Sequence, residues 1–211
     1  SGLERSVVQL TPETYRKPAS ISQGPVLVVG DGASGRDIAA ELSILHTVLL
    51  SGSRRRRLLP ERIFGVSIWT WLAASGLLRT PAESLLGRKM READPFPNRS
   101  RSDRHLLDMG VVRTVRLIGV HGNRALFADG ISADVGAVIW CMGYRDDFGW
   151  LAIEEAKDTS GNVKHDKGHS PVAGLFYVGR PWQRNRASGL VLGVGEDARL
   201  PQHEGTGQPS Q

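Results

Sequence analysis

The clearest hydrophobic pattern in the chain is the run Val-Leu-Val-Val at residues 26–29, which precedes a glycine-rich turn. Four successive apolar residues, mostly β-branched, are typical of a strand that is buried on both faces of a parallel sheet. After the turn, residues 36–42 mix apolar and charged positions as an amphipathic helix does. A strand, a glycine turn and a helix in this order predict the start of a βαβ unit.

Three further apolar runs predict additional strands. Residues 46–50 fit the second strand of the unit, whereas residues 137–141 and 174–179 each read as a buried strand. A segment of helical length, residues 188–197, follows the last of these runs. Strands that alternate with helical segments indicate a parallel sheet.

The pattern between these strands is different. A tryptophan-bearing amphipathic helix is expected near residues 61–78, followed by loops around a short helix at residues 80–104. From residue 110, short apolar segments separated by His121-Gly122-Asn123 and Asp129-Gly130 predict an antiparallel hairpin. The predicted fold is therefore α/β: a Rossmann-like parallel sheet with helices on both faces and an inserted antiparallel β-hairpin.

The glycine turn is the main candidate binding site. Its G-x-G-x-x-G motif comprises Gly30, Asp31, Gly32, Ala33, Ser34 and Gly35. Gly30 permits the tight turn, Gly32 lets the backbone approach a pyrophosphate, and Gly35 allows close packing of helix on strand. The amides and the positive dipole end of the helix then face the phosphates. A dinucleotide is the expected ligand.

The residues after the second strand indicate which dinucleotide. No Asp or Glu is present to accept a hydrogen bond from a ribose 2′-hydroxyl; Ser53, Arg54 and Arg55 stand there, followed by two more arginines. Arginine forms bidentate bonds to phosphate oxygens, so this end favours the 2′-phosphate of NADP(H). Asp31 and Asp37 count against phosphate binding. The alternative is a solvated basic run that contacts nucleic acid or acidic lipid.

Composition narrows the other possibilities. The chain has 211 residues, is 40% hydrophobic, and carries a net charge of +5, so a sizeable core and an anionic ligand are both expected. Its single cysteine, Cys141, excludes an internal disulfide and any cysteine-pair metal site. The apolar segment at residues 63–78 is too short to span a bilayer. We expect a cytoplasmic protein without metal, nucleic acid or membrane partners.

The order of the motifs resembles the flavin-containing monooxygenase-like flavoproteins of the pyridine nucleotide-disulphide oxidoreductase type. The resemblance covers about residues 15–197 and includes the glycine turn, the arginines after the second strand, and Ala-Asp-Gly at residues 128–130. In this family Ala-Thr-Gly-Tyr links the NADPH domain to the FAD domain, and Cys141, Met142, Gly143 and Tyr144 occupy that place. The run ending at Gly179 resembles the final flavin-side strand.

The resemblance implies an oxidoreductase in which NADPH reduces FAD, which activates oxygen for oxygenation of a small-molecule substrate. No catalytic side chain is expected, because the flavin carries the chemistry. The implied organisation is an entry linker (1–24), an NAD(P)-binding Rossmann-like domain (25–145), the C-terminal part of an incomplete FAD-binding domain (146–199) and a disordered tail (200–211).

The family has an earlier glycine turn for FAD that this sequence lacks. We therefore expect a truncated or partial chain that binds NADP(H), and FAD only if the missing N-terminal half is supplied. A second copy or a separate FAD-domain segment is the expected partner. Two alternatives remain: a non-catalytic NADP(H)-binding module without flavin, and a basic protein that binds anions or nucleic acid.

Overall fold

The computed structural model describes residue 4 and residues 6–22, 24–52, 58–93, 96–97 and 101–204. The strands are β1 (Val8–Leu10), β2 (Val26–Val29), β3 (Val48–Ser51), β4 (Leu58–Leu59), β5 (Arg62–Ile63), β6 (Val66–Ser67), β7 (Phe96–Pro97), β8 (Val112–Thr114), β9 (Leu117–His121), β10 (Arg124–Phe127), β11 (Ser132–Asp134) and β12 (Ala137–Trp140). The helices are α1 (Ala33–Leu42), α2 (Ile68–Ala74), α3 (Leu85–Ala93), α4 (Asp103–Asp108) and α5 (Val191–Glu204).

The chain forms two compact units. The first contains residues 1–61 and 95–144, and the second contains residues 62–94 and 145–211. Residues 62–94 thus group with the C-terminal part of the chain, although they interrupt the first unit in sequence. The assignment of residues 146–199 to an FAD-binding domain stays a prediction.

A five-stranded parallel sheet organises the first unit. Its strand order is β1-β12-β2-β3-β8, and each adjacent pair runs parallel. The central strand β2 is hydrogen-bonded on both sides, with Val28 opposite Ile139 and Leu50. This position explains its unbroken apolar sequence, since both faces and both edges of β2 are covered.

The two faces of this sheet are covered by different layers. Val26 and Val28 pack with buried residues of α1, such as Ile38, on one face. On the other face, Leu27 packs with Ala125 and Phe127 of β10. This second face carries the antiparallel sheet β11-β10-β9 rather than the helices that the sequence predicts there. The predicted α/β class, parallel sheet and antiparallel insertion are confirmed.

The segment at residues 61–78 differs from the single helix predicted there. It begins with the antiparallel pair β5 and β6, and only then enters α2. The turn between these strands uses left-handed backbone at Phe64 (φ 51°) and Gly65 (φ 77°), which a continuous helix cannot contain. Ser67 then caps α2 by accepting a hydrogen bond from the Trp69 amide at 3.3 Å.

The apolar run at residues 174–179 does not form the strand predicted for it. Its one ladder contact among the described residues is a single bridge between Phe176 and His169. Leu175 and Tyr177 pack against a small core around Leu151, whereas Phe176 and Val178 are exposed. Hydrophobicity alone therefore does not produce a strand where no neighbouring strand provides a ladder.

The C-terminal helix is longer than predicted. A short 3-10 helix at Arg186–Gly189 leads into α5, which runs from Val191 to Glu204 and so includes part of the predicted tail. Residues 205–211 lie outside the described residues. Within the described part of the chain, no helix combines the length and the hydrophobicity needed to cross a bilayer.

Candidate functional site

The glycine turn connects β2 directly to α1. β2 ends at Val29 and α1 begins at Ala33, with Gly32 as a helix N-cap that offers no side-chain hydrogen bond. The amides of the first helical turn therefore depend on another partner, and the positive end of the helix dipole lies beside them. This is the arrangement that accommodates a phosphate group.

The three glycines of the motif occupy different environments. A Cβ atom at Gly30 would overlap the carbonyl oxygen of Cys141, and the backbone there has φ +119°. A Cβ at Gly35 would overlap the carbonyl oxygen of Gly30, so this glycine allows α1 to approach β2 closely. At Gly32, no heavy atom of the described residues, apart from Gly32 itself and its chain neighbours, lies within 4 Å of the Cβ position. The open side of the turn is thus at Gly32, as the sequence predicts for a pyrophosphate site.

The carboxyl ends of neighbouring strands meet beside this turn. The Gly30 amide donates to the Ser51 carbonyl at 2.8 Å, and the Cys141 amide donates to the Val29 carbonyl at 2.7 Å. Ser51 Oγ donates to the Val115 carbonyl at 2.9 Å, which links the ends of β3 and β8. Ligands of open parallel sheets bind outside this edge.

The residues after β12 split between the interior and the surface. Cys141 is buried, and burial raises the pKa of its thiol to about 11. Met142 and Tyr144 are exposed, and Gly143 turns the chain with φ +88°. The structure therefore brings Cys141 against the glycine turn and leaves the next side chains in solvent. Their assignment to cofactor binding stays a prediction.

The remaining candidates lie elsewhere. Ser53, Arg54 and Arg55, together with Arg56 and Arg57, lie outside the described residues. The chain enters this run from Gly52, where a Cβ would lie 2.7 Å from the Cβ of Asp31. Gly52, the last described residue before the arginine run, thus lies beside the glycine turn. Gly179 belongs to the second unit and has φ +80°.

An ion network that the sequence does not predict connects the glycine turn to neighbouring elements. It consists of Asp31 in the turn, Arg36 on α1, Asp103 on α4 and Arg113 on β8. Arg36 Nη2 donates to Asp31 Oδ2 at 3.1 Å and to Asp103 Oδ1 at 2.7 Å. Arg113 donates to the same two carboxylates, through Nη2 to Asp31 Oδ2 at 2.6 Å and through Nη1 to Asp103 Oδ1 at 2.7 Å. Each arginine therefore bridges both aspartates.

The centre of the ion network is buried. The side chains of Arg36 and Asp31 are 1% and 3% exposed, and Arg36 Nε contacts Asp31 Oδ1 at 2.7 Å as a charge pair without hydrogen-bond alignment. Burial tends to raise the pKa of the Asp103 carboxyl, but hydrogen bonds and positive charge from Arg36 and Arg113 outweigh burial and lower it. Such charge-assisted bonds hold the carboxylate ionised.

The ion network changes the interpretation of the acidic residues near the turn. From the sequence alone, the negative charges of Asp31 and Asp37 argue against phosphate binding. In the structure, however, Asp31 contacts two guanidinium groups. Asp37 lies 3.5 Å from Arg101 Nε. The spacing of Asp31 and Arg36 was the one local sign of this pairing, because the other partners come from distant parts of the chain.

An open cleft of ≈480 Å³ lies beside the ion network in the first unit. Its walls are mostly apolar, and its polar groups include Asp103, Arg113 and Thr114. Gly52 and Val115, at the ends of β3 and β8, also line it. Its volume falls in the range of small-molecule pockets.

One histidine of the second unit has an aromatic neighbour and a shifted pKa. His165 lies against Tyr177 in the second unit, with ring centroids 6.0 Å apart. Burial, and secondarily the charge of Arg180, lower its pKa. Within the described ranges, no cluster of three or more His, Cys, Asp or Glu side chains is placed to hold a metal ion.

Comparison with known proteins supports the resemblance. No protein-family model matches the chain. An uncharacterized CzcO-like oxidoreductase of Geobacillus kaustophilus is 36% identical over 198 residues, which are 93% of this chain and 56% of that protein. The uncharacterized oxidoreductase CzcO of Bacillus subtilis is 33% identical over 198 residues, 93% of this chain and 57% of that protein.

Solved structures show the same fold. A flavin-containing monooxygenase of Stenotrophomonas maltophilia superposes with a TM-score of 0.67 at 23% identity, over 94% of this chain and 54% of that chain. A variant of the flavin monooxygenase from the same organism gives a TM-score of 0.69 at 19% identity, over 100% of this chain and 59% of that chain. The Rossmann-like fold is confirmed.

The chain is therefore homologous to CzcO-like oxidoreductases and has structural neighbours among flavin monooxygenases. It spans a little over half the length of these curated relatives.

Proposed function

We propose that this chain binds NADP(H) as part of a flavoprotein oxidoreductase of the monooxygenase type that oxygenates a small-molecule substrate. Homology to CzcO-like oxidoreductases and the fold of flavin monooxygenases support the oxidoreductase assignment. The nucleotide assignment rests on the glycine turn. FAD joins the proposal only with the part of the relatives that this chain does not cover, because the sequence contains a single G-x-G-x-x-G motif.

The observation that carries the proposal is the contrast among the three glycines. Cβ atoms at Gly30 and Gly35 would overlap backbone atoms, so the fold itself requires glycine there. Gly32 has extended backbone (φ −91°, ψ −174°), and its Cβ position meets no described residue other than its chain neighbours. The fold does not explain a glycine at this position, but close approach of a pyrophosphate does.

The residues that would hold the pyrophosphate follow from the geometry of the glycine turn, and those for the 2′-phosphate follow from the sequence alone. The backbone from Gly32 to Ser34 and the start of α1 would bind the pyrophosphate, and Ser53, Arg54 and Arg55 would bind the 2′-phosphate. When bound, NADPH supplies a hydride for reduction. The chain's own contribution is to bind and orient the nucleotide. We assign no side chain as a nucleophile or general base.

Gly32→Val separates binding from folding. Because no described contact opposes a Cβ atom and valine is only a poorer N-cap than glycine, we expect the midpoint of thermal unfolding to fall by no more than about 4 °C. We expect the affinity for NADPH to fall at least about 100-fold, since the valine methyl groups would occupy the pyrophosphate position. Calorimetric titration with NADPH, and with NADH to measure the preference for the 2′-phosphate, provides the test.

Gly119→Val is the matched control, because Gly119 in β9 also has no atom within 4 Å of its Cβ position. It should leave NADPH affinity unchanged. Equal binding by Gly32→Val and the wild type would contradict the proposal. Adding FAD distinguishes the second candidate: a chain that binds NADPH but never flavin, even when the part of the relatives that it does not cover is supplied, fits a non-catalytic nucleotide-binding module.

A further inference from the structure

We propose that the ion network sets the electrostatic charge that nucleotide phosphates meet at the glycine turn. In this role Arg113 and Asp103 are positioning residues that act through Asp31. The inference rests on the proposed NADP(H) site and identifies residues that neither the motif nor the homology assigns. It explains how an acidic residue can occupy the second position of a phosphate-binding turn.

The position of Asp31 poses the electrostatic problem. Its carboxylate follows Gly30 directly and lies one residue before Gly32, the open side of the turn. An uncompensated carboxylate there would oppose the helix dipole and repel the pyrophosphate. Because Asp31 is buried, bulk solvent screens its charge weakly. Compensation must therefore come from neighbouring protein groups.

The ion network provides this compensation. It contains two carboxylates, Asp31 and Asp103, and two guanidinium groups, Arg36 and Arg113, so its formal charges balance. Removing one basic member leaves a net negative charge beside the turn, and removing one acidic member leaves a net positive charge. The two changes should therefore affect the binding of an anion in opposite directions.

Two members can be changed without burying an unpaired charge. The side chains of Arg113 and Asp103 are 24% and 46% exposed, in contrast to the buried Arg36–Asp31 pair. After loss of Arg113, both carboxylates still contact Arg36. Substitution at these outer positions therefore changes the charge while the inner pair remains.

The test measures NADPH dissociation constants at low ionic strength for three variants. Arg113→Gln should weaken binding about tenfold, and Asp103→Asn should tighten it about threefold, because Asp103 is more exposed and its charge is better screened. The double variant restores neutrality and should bind within about twofold of the wild type. Raising the salt concentration should reduce all these differences.

A purely structural role predicts a different result. Loss of either side chain would then weaken binding, and the double variant would bind no better than the worse single variant. That outcome would overturn the inference. If Arg113→Gln does not fold, Asp103→Asn decides alone: tighter binding supports the inference, and weaker binding overturns it.

Two controls isolate the local charge. Arg124→Gln changes the net charge of the chain by the same amount as Arg113→Gln. It breaks only the exposed Arg124–Asp134 pair between β10 and β11, so the dissociation constant for NADPH should stay unchanged. Arg113→Lys keeps the charge and should restore most of the affinity. A wild-type chain that does not bind NADPH would refute the proposed function and this inference together, whereas same-sign effects of the variants would refute the inference alone.

Discussion

Two similar stretches of sequence have different structures in this protein. Residues 26–29 and residues 175–178 are both continuous apolar runs, and each is followed by a glycine with positive φ, Gly30 at +119° and Gly179 at +80°. The first run is the buried central strand of a parallel sheet. The second alternates between packed and exposed side chains and makes one bridge.

The difference lies in the neighbours and not in the runs themselves. Val28 has a strand on each side, which pairs its backbone groups with Ile139 and Leu50. Phe176 has only the bridge to His169 among the described residues. An apolar run thus encodes a tendency toward extended structure, and the surrounding chain decides whether it becomes a strand.

The two terminal glycines provide the strongest test of this comparison. Gly30→Ala should destabilise the first unit by more than about 4 kcal/mol, because the added Cβ overlaps backbone at Cys141 in addition to the strained φ. Gly179→Ala meets its nearest atom, Val194 Cγ2, at 3.5 Å, so only the backbone strain of about 1 kcal/mol remains. Urea unfolding of both variants measures the contrast.

If both alanine variants lose the same free energy of unfolding, close backbone approach does not distinguish the two glycines. The carbonyl of Cys141 would then be able to move away from position 30.

Thiol chemistry compares a buried position beside the first run with an exposed position in the second, because the Cys141 amide donates to the Val29 carbonyl and Val178 is half exposed. Cys141 should react with a maleimide on the order of 100-fold more slowly at pH 7 than a cysteine at the exposed position of Val178, introduced in a Cys141→Ala background. Burial raises the pKa of Cys141 to about 11, so little thiolate is present. The rate at Cys141 should therefore rise up to about tenfold per pH unit below that pKa.

Mass spectrometry after timed labelling measures both rates under native conditions. Similar rates at pH 7 would show that Cys141 is accessible, in conflict with its burial beside the glycine turn.

The smallest effect is expected from one substitution made in both runs. Val28→Ala removes two methyl groups from a fully buried site and should reduce the free energy of unfolding by about 2 kcal/mol. Val178 is 48% exposed, so Val178→Ala should change it by less than about 0.5 kcal/mol. Chemical denaturation measures both changes, and equal losses would mean that residues 175–178 are more buried than the structure shows.

The glycine turn could be predicted because its determinants are local. The strand, the glycines and α1 lie within residues 26–42, where side-chain pattern and backbone freedom act over short distances. The predicted helix at residues 61–78 was wrong in its first part, although its determinants are also local. Phe64 and Gly65 form a left-handed turn whose signal is weak within a longer apolar pattern.

The ion network could not be predicted in this way. Asp31 and Arg36 are near in sequence, but Asp103 and Arg113 come from α4 and β8, about 70 to 80 residues further along the chain. Hydrophobic periodicity carries no information on which distant charges meet. The position of the antiparallel sheet on the second face could not be predicted either. The apolar pattern predicts its strands, but not the face of the parallel sheet on which they pack.

The sequence by itself determined that a parallel βαβ unit begins at residue 26 and ends its first strand in a glycine-rich turn. Glycine's missing Cβ and the strand periodicity act locally, so the motif identifies them directly. Only the tertiary structure decided that Asp31 contacts two guanidinium groups, that the Cβ position of Gly32 meets no described residue beyond its chain neighbours, and that residues 175–178 remain outside a sheet. These outcomes depend on contacts between distant segments, which form only when the chain folds.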